Sequence, residues 1–118
     1  MILQKLKSMT EQGEKYIADI ILSINNIEDF MSDFNTFERY ESSLKTQSAI
    51  ERQLAIIGEA LNKLKKVEPE IEIENEKQII SFRNRLVHAY DNIDNAIVWT
   101  IIKKHLPLLK KEIIRIRK

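Results

Sequence analysis

Apolar residues recur along this chain at steps of three and four, the spacing of one face of an α-helix. The first such stripe predicts a helix from about Glu11 to Phe34. The second has steps of four and three in alternation and predicts a long helix from about Leu44 to Val67. The first stripe consists of Ile17, Ile20, Ile21, Ile24, Ile27 and Met31, and the second of Ile50, Leu54, Ile57, Leu61 and Leu64. Seams this narrow are typical of helices packed in a bundle.

The residues between the two stripes supply turn and capping chemistry. Asp33, Asn35 and Thr36 suit a helix end and a helix start, and Phe37–Ser43 has room for one short helical turn. The second helix should end at Glu68, because Pro69 disfavours helical geometry in the residue before it.

Two further helices complete the pattern. The third should begin near Asn75, and Asp94 is a good N-cap for the last. Pro107 lies inside the last helix and predicts a kink or local break, because it has no amide hydrogen to donate. The apolar side of the third helix is Ile79, Phe82, Leu86 and Ala89, and that of the last is Ile97, Val98, Ile101, Ile102, Leu109, Ile113 and Ile116. We therefore predict an all-α fold, with residues 1–118 forming one domain, an antiparallel four-helix (up-down) bundle.

The composition excludes several kinds of chemistry. The 118 residues include no cysteine, two glycines and two histidines. Disulfides, thiolate zinc sites, iron–sulfur clusters and a cysteine nucleophile are thus excluded. Two histidines cannot form a three-histidine metal site, and a mixed histidine–carboxylate site stays formally open, but we predict no metal site. Gly13 and Gly58 are too far apart to form a phosphate-binding loop, and Gly58 within the second stripe suggests a close approach by another helix.

Charge is balanced overall but unevenly distributed. The net charge is +1, whereas residues 68–76 carry five glutamates and no basic residue, and residues 103–118 carry seven lysines and arginines against one glutamate. The basic tail is either a solvated helix face or a patch that attracts phosphate. No apolar run approaches the ~20 residues of a membrane span, and the N-terminus has no signal-peptide core, so we expect a cytoplasmic protein with no membrane partner.

Chemistry is concentrated in one segment, Ser81–Asp91, which contains Arg83, Asn84, His88 and Tyr90. Asn84 and His88 are four residues apart and share a helix face. Arg83 and His88 are five apart, which separates them by about 140° around an ideal helix. For both to reach one phosphate, either the helix distorts near His88 or two copies of the chain combine their segments across a two-fold axis.

These side chains suit cleavage of RNA without a metal. Histidine moves protons near neutral pH, and arginine presents a charged fork to a phosphate whose negative charge grows in the transition state. The 2′-hydroxyl of RNA would be the nucleophile. The alternative from spacing alone is an ordinary capped helix end that happens to carry a histidine and a tyrosine.

Three blocks of the sequence resemble the HepT-like proteins of the HEPN superfamily. Gln47–Ala60, with its Ile-Gly-Glu-Ala, looks like the second-helix signature of that family. Arg83-Asn84-x3-His88-x-Tyr90 resembles its Arg-x4-His-x-Tyr motif, and Val98-Trp99 with Leu106-Pro107-x-Leu109 resembles its last helix. The resemblance covers roughly residues 15–118. One departure is Ala89, where the family often has glycine.

The resemblance implies a HEPN-type helical bundle that forms a homodimer and acts as the toxin of a type VII toxin–antitoxin pair. Such a toxin is a metal-independent endoribonuclease acting on cellular RNA, with transfer RNA as one candidate target. Arg83 and His88 would be catalytic, and Asn84 would support them. No cofactor is implied. The partner would be a minimal nucleotidyltransferase (MntA-type) antitoxin, in a complex that can extend to a higher hetero-oligomer, and it would silence the toxin by adenylylating Tyr90.

Other interpretations stay open at this point. The chain could be a non-catalytic nucleotide- or protein-binding subunit that partners a nucleotidyltransferase, because fold alone does not assign activity. A purely structural helical dimer is the third. We expect His105 to be a solvent-exposed or packing residue, and Trp99 and Tyr16 to be core or interface aromatics.

Overall fold

The computed structural model describes residues 9–89 and 93–117, and this part of the chain contains helices and no strand. The all-α prediction is therefore confirmed, while the four-helix up-down arrangement stays a prediction. The elements are α1 (Glu11–Met31), α2 (Phe37–Glu41), α3 (Leu44–Val67), α4 (Lys77–Ala89), α5 (Asn95–Thr100), a π-helical turn (Ile101–His105) and α6 (Leu106–Arg117). Within the same residues, no helix is both long enough and apolar enough to cross a bilayer.

Hydroxyl and carboxylate side chains fix the starts of the helices. The side chain of Thr10 accepts a hydrogen bond from the amide of Gly13 at the start of α1, and that of Ser43 accepts from Thr46 at the start of α3. Asp94 accepts from the Ala96 amide at 2.8 Å, so its prediction as the N-cap of the last helix is confirmed. Each such cap is worth about 1 kcal/mol.

The two predicted stripes form the centre of the core. Helices α1 and α3 pack along each other, and nine residues of the stripes are at most 1% exposed: Ile17, Ile20, Ile24, Ile27, Ile50, Leu54, Ile57, Leu61 and Leu64. Helix α4 adds Ile79 and Phe82 against α3, and α6 adds Leu109 and Ile113. Burying each large apolar side chain contributes roughly 1.5–3 kcal/mol. These contacts make α3 the support on which α4 is held.

Pro107 changes the hydrogen bonding of the last helix without ending it. Residues Ile101–His105 form a π-helical turn, in which the Leu106 amide donates to the Ile101 carbonyl five residues earlier. Proline has no amide hydrogen and its ring clashes with the carbonyl four residues before it, so a widened turn there relieves the conflict. The predicted kink or break is thus a π-helical turn, and the helix continues to Arg117.

A buried carboxylate anchors the acidic segment before α4. Glu112 on α6 is 5% exposed and accepts hydrogen bonds from the Glu74 amide at 2.6 Å and from the Asn75 amide and side chain, both at 3.0 Å. Lys65 on α3 also pairs with Glu76. The segment is therefore tied to both α3 and α6, which sets where α4 begins.

Candidate functional site

Helix α4 carries three of the four predicted site residues. Arg83, Asn84 and His88 all lie within Lys77–Ala89, and Tyr90 lies outside the described residues. Asn84 and His88 are exposed and Arg83 is half-buried, so all three are open to a ligand to some degree.

Gly58 lets α4 approach α3 at the position of Arg83. A Cβ atom built on Gly58 would lie 2.6 Å from the Arg83 Cβ, 3.1 Å from its Cγ and 3.3 Å from the Ile79 carbonyl oxygen. The first distance is shorter than real carbon–carbon contacts, which are about 3.5–4.0 Å. The close approach expected at Gly58 is confirmed, and its neighbour is the predicted phosphate-binding arginine.

The Arg83 side chain is directed towards its neighbour in sequence. Its Nη1 donates a hydrogen bond to the Asn84 Oδ1 at 3.2 Å. The Arg83 side chain is therefore held at two points. Its Cβ packs on Gly58, and its guanidinium is hydrogen-bonded to Asn84. Asn84 therefore contacts Arg83, and its supporting role stays a prediction.

Arg83 and His88 do not share a face of α4. The helix is α-helical without interruption from Lys77 to Ala89. Of the two alternatives for bringing Arg83 and His88 to one phosphate, a distortion of the helix is not seen in Lys77–Ala89, so the separation of about 140° expected from ideal geometry applies. Within one protomer the two side chains are directed away from each other.

A cavity of about 590 Å³ lies between α3 and α4 beside this site. Its lining includes Glu51, Arg52 and Glu59 from α3 and Leu86 from α4. Burial raises the pKa of the Glu51 carboxyl. Glu51 lies in the Gln47–Ala60 block, but its surroundings were not predictable, because nothing in one sequence shows that a helical glutamate is half-buried.

Tyr40 is a second residue whose surroundings were not predictable from the sequence. It is fully buried, and its ring lies 5.8 Å from that of Trp99. Burial first, and then the charge of Glu51, raise the pKa of its hydroxyl. Gln47 donates to the backbone carbonyls of Tyr40 and Glu41, which holds the end of α2 against α3. These residues stabilise the end of the fold where α2, α3 and α5 meet.

Two lysines of the basic tail and the second histidine contact other parts of the fold. Lys110 pairs with Glu28 on α1 at 2.9 Å, and the Lys103 ammonium lies 4.9 Å from the centre of the Trp99 ring. His105 is half-buried beside α4, in keeping with a packing role. In residues 9–89 and 93–117, no three His, Cys, Asp or Glu side chains are grouped as a metal site.

Comparison with known proteins relates the chain to ribonucleases. Residues 20–116 match the family model described as Ribonuclease HepT-like. A protein of Thermococcus cleftensis, named as a probable ribonuclease HepT, is 34% identical over 114 residues, covering 93% of this chain and 100% of the relative. Two proteins of Methanocaldococcus jannaschii that also bear RNase names are 30% and 34% identical, over 83% of this chain and 90% and 81% of their own lengths. No solved structure gave a significant match. The matched residues include all of α3 and α4, with Gly58, Arg83 and His88, and the chain therefore belongs to the HepT-like ribonuclease family.

Proposed function

We propose that this chain is an endoribonuclease that cleaves cellular RNA without a metal ion, and that it is the toxin of a toxin–antitoxin pair. One observation carries the proposal. A chain of the HepT-like ribonuclease family presents an anchored arginine and an exposed histidine on a single helix, α4. Histidine can move protons near neutral pH and arginine can stabilise the charge of the phosphate, and both contributions favour phosphodiester cleavage by an RNA hydroxyl.

In the proposed reaction, the 2′-oxygen of RNA attacks the adjacent phosphorus and the bond to the 5′-oxygen breaks. The 2′-hydroxyl proton goes to a base and the departing 5′-oxygen receives a proton from an acid. The products are a 2′,3′-cyclic phosphate and a 5′-hydroxyl. His88 acts as the general acid or the general base, and water carries the other proton. The Arg83 guanidinium stabilises the extra negative charge on the phosphate. Asn84 orients Arg83 through their hydrogen bond.

We further propose that the active site is shared between two copies of the chain. The uninterrupted α-helix directs Arg83 and His88 of one protomer to different faces, so one phosphate is best reached by Arg83 of one copy and His88 of another. A two-fold axis would place two such pairs in one dimer.

Subunit mixing tests the shared site. Arg83→Ala and His88→Ala homodimers should each be inactive. A heterodimer of the two variants contains one intact pair if the site is shared, so it should have up to half of the wild-type activity. Since about half of the dimers in an equal reannealed mixture are heterodimers, the mixture as a whole should recover up to about a quarter. A mixture as inactive as its parents would contradict a shared site.

The proposed partner is a minimal nucleotidyltransferase that adenylylates Tyr90. Tyr90 is two residues after His88 in the sequence, so an adenylyl group there would add bulk and negative charge close to the residue that we propose meets RNA. Mass spectrometry of the chain co-expressed with its neighbouring nucleotidyltransferase should show added adenylyl units that Tyr90→Phe abolishes. An unmodified wild-type chain would contradict this control.

Expression in cells separates a toxin from a non-catalytic subunit. The wild-type chain should arrest growth and fragment RNA in the cytoplasm, where we propose it acts, and Arg83→Ala and His88→Ala should do neither. Equal growth and intact RNA for all three chains would contradict the toxin proposal and favour a nucleotide- or protein-binding subunit.

A further inference from the structure

A groove of about 380 Å³ lies on the opposite side of α4 from the Gly58 contact. It is formed by α4 on one wall and by α5 and the π-helical turn on the other. Its volume is within the range of small-molecule sites, about 300–1,000 Å³. The site proposed above does not use it.

The groove has an apolar floor and a basic rim. Phe82 and Ile101 form its buried floor, and Ile97 stays 38% exposed although it is large and apolar. The basic rim consists of Lys77, Arg85 and His105. None of the described residues that line the groove is acidic. An apolar surface edged by cationic groups suits a flat base attached to a phosphate.

The far wall contains the irregular turn of the last helix. Ile101 and His105 are the first and last residues of the π-helical turn, and both line the groove. Such turns occur frequently at functional sites in proteins. The turn that accommodates Pro107 thus also shapes this wall.

The groove lies along the same face of α4 as the proposed catalytic histidine, His88. Ser81, Arg85 and His88 are four and three residues apart on α4, so they follow one face of the helix. From His88 back to Lys77 this face extends about 16 Å at the ~1.5 Å rise of an α-helix. We propose that the groove binds a nucleotide of single-stranded RNA that flanks the scissile phosphate, with its base on the apolar floor and its phosphate on Arg85 and Lys77. This inference rests on the proposed ribonuclease function.

Charge argues for RNA and against a second copy of the chain as the occupant. In a symmetric contact through the groove, each copy would meet the same surface of the other. That contact would bring Arg85 and Lys77 of two copies together with no acidic group in the lining to offset them. A phosphate backbone provides the missing negative charge.

Binding of a fluorescent 12-nucleotide single-stranded RNA to the His88→Ala chain, which cannot cleave it, tests the proposal. Adding Arg85→Gln should weaken binding about tenfold and reduce the slope of log K against log salt by about 0.7, the value for one phosphate contact on a single strand. Adding Ile97→Glu should weaken it further. The matched control is Arg52→Gln, which removes the same charge from the cavity between α3 and α4 and should leave binding within twofold.

The outcomes separate this proposal from the ribonuclease itself. If Arg85→Gln binds as tightly as its parent, or if Arg52→Gln weakens binding equally, the groove is not the RNA subsite, even where the wild-type chain cleaves RNA. If either groove variant changes the sedimentation coefficient of the free protein, the groove is an interface between copies and the proposal is overturned. Absence of cleavage by the wild-type chain overturns the proposed function, and with it the position of the groove beside a scissile phosphate. Loss of binding specific to Arg85→Gln and Ile97→Glu supports RNA binding in the groove in either case.

Discussion

Gly58→Ala should separate α3 from α4 and displace Arg83. The new methyl group would lie 2.6 Å from the Arg83 Cβ, which is fixed to the backbone and cannot rotate away. Reaching an ordinary contact of about 3.5 Å requires the two helices to move apart by roughly 1 Å at this point.

Two opposing effects set the size of the change. Alanine favours the helix over glycine by about 0.5–1 kcal/mol. Overpacking a well-packed contact costs about 1–3 kcal/mol. We expect the overpacking cost to be in the middle to upper part of this range, about 2–2.5 kcal/mol, because two backbones must shift. The free energy of unfolding should therefore fall by about 1–2 kcal/mol and the melting temperature by roughly 5 °C.

Thermal and urea denaturation measure the effect, and Gly13→Ala is the matched control. At Gly13 the same substitution meets the end of the Glu68 side chain, whose Oε2 would lie 2.6 Å from the new Cβ. That carboxylate can rotate, at the cost of its hydrogen bonds to Thr10, so the loss should be smaller. RNA cleavage should fall for Gly58→Ala and stay unchanged for Gly13→Ala.

A double substitution makes the prediction specific to the helix contact. Gly58→Ala with Arg83→Gly transfers the missing Cβ from α3 to α4 and removes the clash. The two changes should therefore couple by about 1–2 kcal/mol in the stabilising direction. The reasoning is refuted if Gly58→Ala raises the melting temperature, as helix propensity alone would, or if the two changes are additive.

Three other substitutions have expected outcomes. Glu112→Ala removes the acceptor of three hydrogen bonds and should lower the free energy of unfolding by about 2–3 kcal/mol. Glu112→Gln should lower it less, because it keeps one acceptor oxygen. Urea denaturation distinguishes the two variants, and equal stability of the two would contradict the role of the carboxylate. Burial raises the pKa of Glu51 in the folded chain, so the ionised carboxylate destabilises the fold. This destabilisation is absent below the unfolded pKa of about 4.3 and complete above the folded pKa. Glu51→Gln should thus raise the melting temperature at pH 7 and not at pH 4. The control Glu70→Gln, at an exposed glutamate, should leave the melting temperature unchanged at both pH values. Tyr40→Phe removes a buried hydroxyl that has no hydrogen-bond partner among the described residues, so it should stabilise the chain by about 1 kcal/mol, and a lower stability would show that the hydroxyl is bonded.

The helices were predictable because their signals are local. Periodic isoleucines and leucines located α1 and α3, and the predicted range of α3, Leu44–Val67, is the observed one. The predicted end of α1 at Phe34 was three residues too long, because the helix ends at Met31 and Ser32 caps it. Helix ends depend on side-chain bonds that hydrophobic spacing does not report.

The candidate site was predictable in composition but not in arrangement. The sequence located Arg83, Asn84 and His88 on one helix, and it identified Gly58 as a point of close approach. It did not show that Gly58 contacts Arg83, because that contact joins residues on two helices. The roles of Tyr40, Glu51 and Glu112 were missed for the same reason, since each depends on burial or on bonds to distant parts of the chain.

Cleavage of a defined RNA by the purified chain in the presence of a chelator tests the central claim most directly. The wild-type chain should produce fragments that end in 2′,3′-cyclic phosphate and begin with 5′-hydroxyl, and Arg83→Ala and His88→Ala should each reduce the rate by at least a hundredfold, the scale of one acid–base or electrostatic contribution. Arg52→Gln should cleave at the wild-type rate. Cleavage that disappears with the chelator, leaves other ends, or survives in both Arg83→Ala and His88→Ala would contradict the account.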